Sequence, residues 1–212
     1  MKKEGENNMC GRYQLNVKLE SILFRYDIPK TVLSFYPKTE VFPSNEAPVI
    51  LREDNKKFKM LKWGFKPSFT NKLLINARSE SVDIKSSFKD AFKTKRCLIP
   101  ANSFFEWKNV DGEKVKYKIS LRNKDIFSMA GIYNSFINKA GERFDSFVIL
   151  TTSSNEAMKD IHSRMPVIID KNNEDIWLDN SIQDLAKLKK LLKPWEKGLV
   201  LNRQDSEQLK LF

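Results

Sequence analysis

The chain has 212 residues, 41% of them hydrophobic, which is enough for one domain with a sizeable core. Two cysteines and a single histidine exclude a disulfide framework and a multi-histidine metal centre. No P-loop or dinucleotide-binding fingerprint stands among the seven glycines, so neither a cofactor nor a metal is expected. A formal net charge of +11, with no apolar run near the roughly 20 residues of a membrane span, describes either a polyanion-binding protein or one with a lysine-rich solvated surface.

Residues 1–8 (MKKEGENN) match no structural element, and Lys3-Glu4-Gly5-Glu6 can be encoded by a purine-rich ribosome-binding core placed shortly before the Met9 codon. The expectation is a leader over 1–9, removed or not translated in the active form, and a single domain over 10–212. A helix capped by Asn16 follows, with Leu19, Ile22, Leu23 and Tyr26 at helical spacing, and Pro29 ends it. Pro37, Pro43 and Pro48 mark extended chain. Val49–Arg52 and Lys57–Trp63 read as strands, and Leu73–Asn76 is a short apolar run. Ser86–Phe92 is a short helix; Arg96–Pro100 and Phe104–Lys108 are buried strands. Asp111-Gly112 turns the chain into Lys114–Leu121, where lysines alternate with Val115, Tyr117 and Ile119. Ile126–Phe136 and Phe144–Thr152 continue the sheet. Ser153 and Glu156 form a capping-box pattern for a helix to about Ile161, and Val167–Ile169 is another strand. Asn173–Leu178 and Ile182–Leu192 are helical, and the tail after Pro194 is polar. Between Lys85 and Lys124, eleven basic residues face four acidic ones, so this stretch holds +7 of the +11.

Chemistry concentrates at Met9-Cys10-Gly11-Arg12-Tyr13. A Cys exposed as the first residue carries a thiol and a free α-amine on one skeleton, a pair that closes a five-membered thiazolidine ring on an aldehyde. An α-amine titrates near 7.7–8.0 against about 10.4 for lysine, so far more of it is neutral and nucleophilic at pH 7. The thiol, near 8.5 unperturbed, is also partly ionised, and Arg12 lies close enough to lower it further. Glu106, between aromatics in Phe104-Phe105-Glu106-Trp107, is either a desolvated carboxylate suited to proton transfer or a residue on the wet face of a strand. His162, in Ile161-His162-Ser163-Arg164-Met165-Pro166, is a proton shuttle or a packed ring bonded to a backbone carbonyl. Asn76 and Arg78, in Ile75-Asn76-Ala77-Arg78-Ser79-Glu80, orient a reacting oxygen and bind a phosphate, or else cap a turn and pair with Glu80. Trp63, in Trp63-Gly64-Phe65, stacks on bases or packs in the core.

Taken in order, these blocks resemble the SOS-response-associated peptidase (SRAP) family of abasic-site processing proteins, from Cys10 to about Ile169. The resemblance implies an α+β domain with a curved, barrel-like, mostly antiparallel sheet flanked by short helices. It implies covalent capture of abasic sites in single-stranded DNA, by a monomer in the nucleoid-associated cytoplasm. Cys10 is then the crosslinking residue, Asn76 orients the opened sugar, and Glu106 and His162 move protons. Arg78 contacts phosphate, Arg12 and Arg164 flank the pocket, and Trp63 lies near displaced bases. Autoproteolytic removal of the leader would accompany this activity. The sequence departs from the family pattern at Glu40-Val41-Phe42-Pro43, where Asn-Val-Ala-Pro is common, and at Asn102-Ser103, where Asp-Gly is usual. The competing readings are a thiol peptidase using Cys10 and His162 on external peptides, and a non-covalent single-stranded nucleic-acid-binding module.

Overall fold

Alternating and continuous apolar runs make strands the main regular structure of this chain. In the computed structural model, residues 10–30, 34–138 and 140–204 are described. The first half runs β1 (Tyr13–Leu15), α1 (Leu19–Tyr26), β2 (Lys38–Val41), β3 (Glu46–Arg52), β4 (Lys56–Trp63), β5 (Asn76–Arg78), α2 (Lys89–Thr94) and β6 (Arg96–Ala101). The second half runs β7 (Ser103–Val110), β8 (Glu113–Leu121), β9 (Phe127–Ile137), β10 (Arg143–Ser153), β11 (Arg164–Pro166), β12 (Ile168–Ile169), α3 (Glu174–Leu178), α4 (Leu185–Lys189) and β13 (Leu199–Gln204).

Two sheets result. The larger runs β10-β4-β3-β6-β9, and β9 pairs back onto β10, so five strands close into a barrel. All of these pairings are antiparallel except β4 with β10. The smaller sheet has the order β13-β8-β7-β1-β2. A bend at Asn102 carries the chain from β6 in the barrel to β7 in the small sheet, and the Asn102 N–H bonds the Gln14 carbonyl at 2.9 Å. This α+β, sheet-dominated architecture agrees with the expected fold class. The barrel interior is tight. A Cβ at Gly131 would lie 2.2 Å from Ile99 Cδ1 and 2.9 Å from Cys97 Sγ, so only glycine lets β6 and β9 approach so closely.

Local signals misled in four places. Asn16 does not cap α1; Lys18 stands at the cap, without a side-chain bond, and the Asn16 N–H bonds Asn102 Oδ1 instead. Residues 154–161 form successive turns rather than a helix. Ser153 is drawn into β10, and Asn155 takes the capping role by accepting from the Met158 N–H at 3.0 Å. The polar tail contributes strand β13, which pairs with β8 from Leu199↔Leu121 to Gln204↔Lys116. The expected leader falls outside the described residues.

The fourth case is Arg96, counted with the basic surface but completely buried. Its guanidinium donates to four backbone carbonyls: Trp177 at 2.8 Å, Phe92 at 2.9 Å, Lys93 and Asp179. Two of these lie on the chain around α3 and two in α2, so one side chain ties both helices to the barrel. Burial lowers its pKa to about 10, which leaves it charged at neutral pH. Arg96→Met strands these carbonyls. At about 1 kcal/mol per lost bond, urea unfolding should report a loss of about 3–4 kcal/mol. Arg96→Lys should recover part of it, and an unchanged midpoint in the Met variant would contradict the role.

Candidate active site

Pairing of β1 with β7 places Cys10. Tyr13 lies opposite Phe104 and Gln14 opposite Ser103, and the Phe105 N–H bonds the Arg12 carbonyl at 2.9 Å. This register sets the start of the described chain beside Glu106, whose Oε1 accepts from the Cys10 backbone N–H at 2.8 Å. Both residues are buried, Cys10 at 3% and Glu106 at 2% exposure. Glu106 is therefore the desolvated carboxylate and not a wet-face residue. Cys10 has φ of +41°, a left-handed backbone that costs a side-chain-bearing residue about 1 kcal/mol.

The electrostatics follow from burial. The Cys10 thiol is pushed well up, first by burial and then by the charge and hydrogen bond of Glu106, while Arg164 pulls the other way. The expected partial ionisation of the thiol is thus reversed in the resting site, and Arg164 rather than Arg12 opposes the rise. Glu106 is raised by burial, against the lowering effects of the His162 charge and of hydrogen bonds from the Cys10 side chain, the Cys10 N–H and the Trp107 N–H. One buried carboxyl group thereby receives both heteroatoms of Cys10.

His162 and Arg164 reach this centre from the barrel. Antiparallel pairing of Ser153 with Arg164 and Thr151 with Pro166 fixes β11 on β10. The half-buried His162 ring sits with Nδ1 3.1 Å from both the N–H and the carbonyl of Arg164. Neutral Nδ1 accepts from the N–H, and protonated Nδ1 donates to the carbonyl, so the ring can exchange a proton there without turning. Arg164 spends its guanidinium inside the protein. Nη2 donates to Glu80 Oε2 at 2.9 Å and to the Thr151 carbonyl at 2.8 Å, and Nη1 donates to Glu80 Oε1. It stands beside Cys10 as an anchored charge. The Arg164 bond holds Glu80 below the usual carboxylate range.

Asn76 and Arg78 lie on β5, across β10 from β11: Asn76 is in register with Ile149, and Arg78 with Thr151. Arg78 is exposed, which suits a phosphate contact; its supposed partner Glu80 pairs with Arg164 instead. Trp63 must be corrected. It is fully buried, with Phe147 stacked 6.3 Å away and Tyr13 tilted at 5.3 Å, so no base can reach it. Its indole N–H donates to the Ile75 carbonyl at 2.9 Å and so fixes the residue before Asn76.

Arg12 lies at the outer edge of the site. Its guanidinium pairs with Glu40 at 2.9 Å and sits over the rings of Phe42 at 4.3 Å and Trp107 at 5.0 Å. Lys116 bonds the same Glu40 and covers the Phe105 ring at 4.3 Å. Sequence reasoning missed Glu40, Glu80 and Thr151. Glu80 lies in the block that carries Asn76 and Arg78, but which arginine it meets is decided by the β10–β11 pairing, which spacing does not reveal. Among the described residues, no three His, Cys, Asp or Glu side chains converge as metal ligands, and no helix is long and apolar enough to cross a membrane.

A model of the family described as SOS response associated peptidase (SRAP) matches residues 9–206. The abasic site processing protein YoqW of Bacillus subtilis is 34% identical over 197 residues, covering 89% of this chain and 88% of its own. YoaM of the same organism, likewise named an abasic site processing protein, is 36% identical over 201 residues, covering 89% and 87%. A solved structure from Bacteroides thetaiotaomicron superposes with a TM-score of 0.83 at 26% identity, covering 93% of both chains. With a match that spans the barrel, the small sheet and every element of the site, this chain belongs to the SOS response associated peptidase family.

Proposed function

We propose that the protein captures abasic sites in single-stranded DNA as a covalent thiazolidine, formed through the α-amine and thiol of Cys10. The observation that carries this reading is Glu106, a buried carboxyl group that receives both the nitrogen and the side chain of Cys10. A residue that must deprotonate an amine and then a thiol on the same carbon skeleton belongs at that position. The names of the relatives point to the same substrate.

The steps balance as follows. Proton transfer opens the closed hemiacetal of the abasic deoxyribose to its aldehyde, with His162 as shuttle and Asn76 orienting the sugar oxygen. The neutral amine of Cys10 adds to the aldehyde carbon to give a carbinolamine; a proton delivered to its hydroxyl lets water leave, and the nitrogen returns that proton to give the neutral imine. The thiol then adds across the C=N bond: sulfur joins the carbon, and its proton passes through Glu106 to the nitrogen. One water leaves overall, and no strand bond breaks. The raised thiol makes this order natural, since the amine attacks first and the thiol is deprotonated only when the imine is in place.

The amine exists only in a chain that begins at Cys10, so residues 1–9 are absent from the active form. The left-handed φ at Cys10, a strain that disappears when the Met9–Cys10 bond is hydrolysed, supports this. A protonated Glu106 would give its proton to the leaving Cys10 nitrogen in that hydrolysis. A thiol peptidase acting on external substrates is less well supported: such enzymes depress the nucleophile's pKa with an imidazolium, whereas here burial and a carboxylate raise it.

Protein beginning at Cys10, incubated with an abasic single-stranded oligonucleotide, should give a shifted band on a denaturing gel. Its mass should equal protein plus DNA minus one water. Cys10→Ala, or a chain that retains Met9, should give no such thiazolidine; a stable adduct from either would refute the assignment. Glu106→Gln should slow capture and reversal on the order of 10²-fold while undamaged-DNA affinity stays within about twofold, because it removes a proton acceptor and no phosphate contact.

The pH dependence of stability follows from the raised carboxyl. Glu106 holds its proton to higher pH in the folded state than in the unfolded one, so its ionisation opposes folding increasingly as pH rises above the ordinary carboxylate range. Glu106→Gln should therefore be more stable than the parent at neutral pH, with the gap closing in acid. Thermal melts across pH check the sign.

A further inference from the structure

Two cations converge on one carboxylate beside the reactive residue. Arg12, two residues from Cys10, and Lys116 on β8 both bond Glu40 of β2. All three side chains are partly open, at 31%, 25% and 25% exposure. Aromatic planes flank them: Phe42, 42% exposed, and Trp107, next to Glu106 in sequence, both lie against the Arg12 guanidinium. Two cations facing one acceptor, with rings on which bases can stack, is the layout of a site for a nucleotide phosphate and its neighbouring base. Its one anion belongs to the protein.

We infer that Glu40 is an internal counter-anion that holds Arg12 and Lys116 in the place a backbone phosphate takes, and that it weakens the protein's hold on undamaged single-stranded DNA. The inference rests on the proposed function. A phosphate entering here must displace the carboxylate or accept one net positive charge instead of two. In the first case ion pairs are exchanged rather than gained, and in the second the attraction is halved. Fewer condensed counterions are neutralised in either case, so non-covalent affinity and its salt dependence both fall. Undamaged DNA has nothing to offset that loss. Abasic DNA does, because once the aldehyde reacts the covalent bond no longer depends on ionic affinity. Glu40 thus makes selection for the lesion depend on chemistry at Cys10 rather than on charge. It is a specificity residue and touches none of the reacting atoms in the scheme above.

The test uses protein beginning at Cys10, a fluorescent single-stranded oligonucleotide without a lesion, and anisotropy titrations over a range of NaCl. Glu40→Gln should bind about five- to tenfold tighter. Its slope of log K against log salt should steepen by about 0.7 for each phosphate gained. Glu40→Asp, which keeps the charge, should stay near the parent; Glu40→Asn serves as a second neutral variant if Gln impairs folding. Unchanged or weaker binding by the neutral variants, or an Asp variant that behaves like Gln, overturns the inference. Capture of an abasic oligonucleotide on denaturing gels separates the two proposals. Normal crosslinking with unchanged affinity in Glu40→Gln removes only this inference. Tighter binding by Glu40→Gln without any crosslink from the parent keeps it and removes the covalent reading. Absence of DNA binding by parent and variants alike removes both.

Discussion

The hydrogen bond from the Cys10 nitrogen to Glu106, 2.8 Å long and excluded from water, is the contact that the geometry of the site serves. It requires β1 to pair with β7 in one register only. A slip of a single residue would turn Glu106 away and bring Phe105 or Trp107 to Cys10. The register is held by Phe105 to Arg12 on one side and by Asn102 to Gln14 on the other, and the Asn102 bend that supplies the second bond also joins the two sheets. The joint between barrel and small sheet is therefore what sets Cys10 against Glu106.

A buried carboxyl group in contact with a buried thiol would ordinarily be a poor way to make a nucleophile, since burial raises both groups and the carboxyl raises the thiol further. It suits a mechanism led by an amine. A protonated α-amine in place of the amide N–H would form a charge-assisted pair with Glu106, and passing that proton to the carboxylate leaves a neutral pair in a dry pocket, where desolvation favours neutrality on both sides. In the proposed scheme the same raised carboxyl would then accept the thiol proton once the imine has formed. Arg164, held by Glu80 and the Thr151 carbonyl, adds a fixed positive charge beside Cys10. His162 keeps one ring nitrogen between a donor and an acceptor of the same residue, so its protonation can change without a change of place.

Much of the fold was legible in the sequence, and for identifiable reasons. Alternation in β8 and the apolar runs of β6 and β10 reported burial directly, and Asp111-Gly112 reported its hairpin, with φ positive at both residues. β13 was not legible because its outer residues are polar and its stabilising partner is β8, over 70 residues earlier in the chain. The capping box at Ser153 failed because a strand pairing with Arg164 outweighed a local preference. Of the site, Cys10, Glu106 and His162 are brought together by the fold; each block alone left a bland reading open, and only their order, through the family resemblance, singled them out as a set. Trp63 was not, because the same aromatic residue can stack on a base or fill a core, and only Tyr13 and Phe147, from two other strands, decide which.

The two halves of the chain's basic character are therefore different things. Arg96 gives its guanidinium to backbone carbonyls, and Arg164 gives its two Nη groups to Glu80 and the Thr151 carbonyl. Arg12 and Lys116 stand at the surface with Glu40 between them. Net charge alone would predict a protein that clings to any nucleic acid. Burying some cations and pairing others next to the reactive cysteine confines that charge. Under the proposed function, a protein that traps its substrate covalently would gain little from tight initial binding and lose turnover of encounters when it binds intact strands. Muted electrostatics at the rim and a concentrated pair of nucleophiles at the centre are two parts of one solution to that problem.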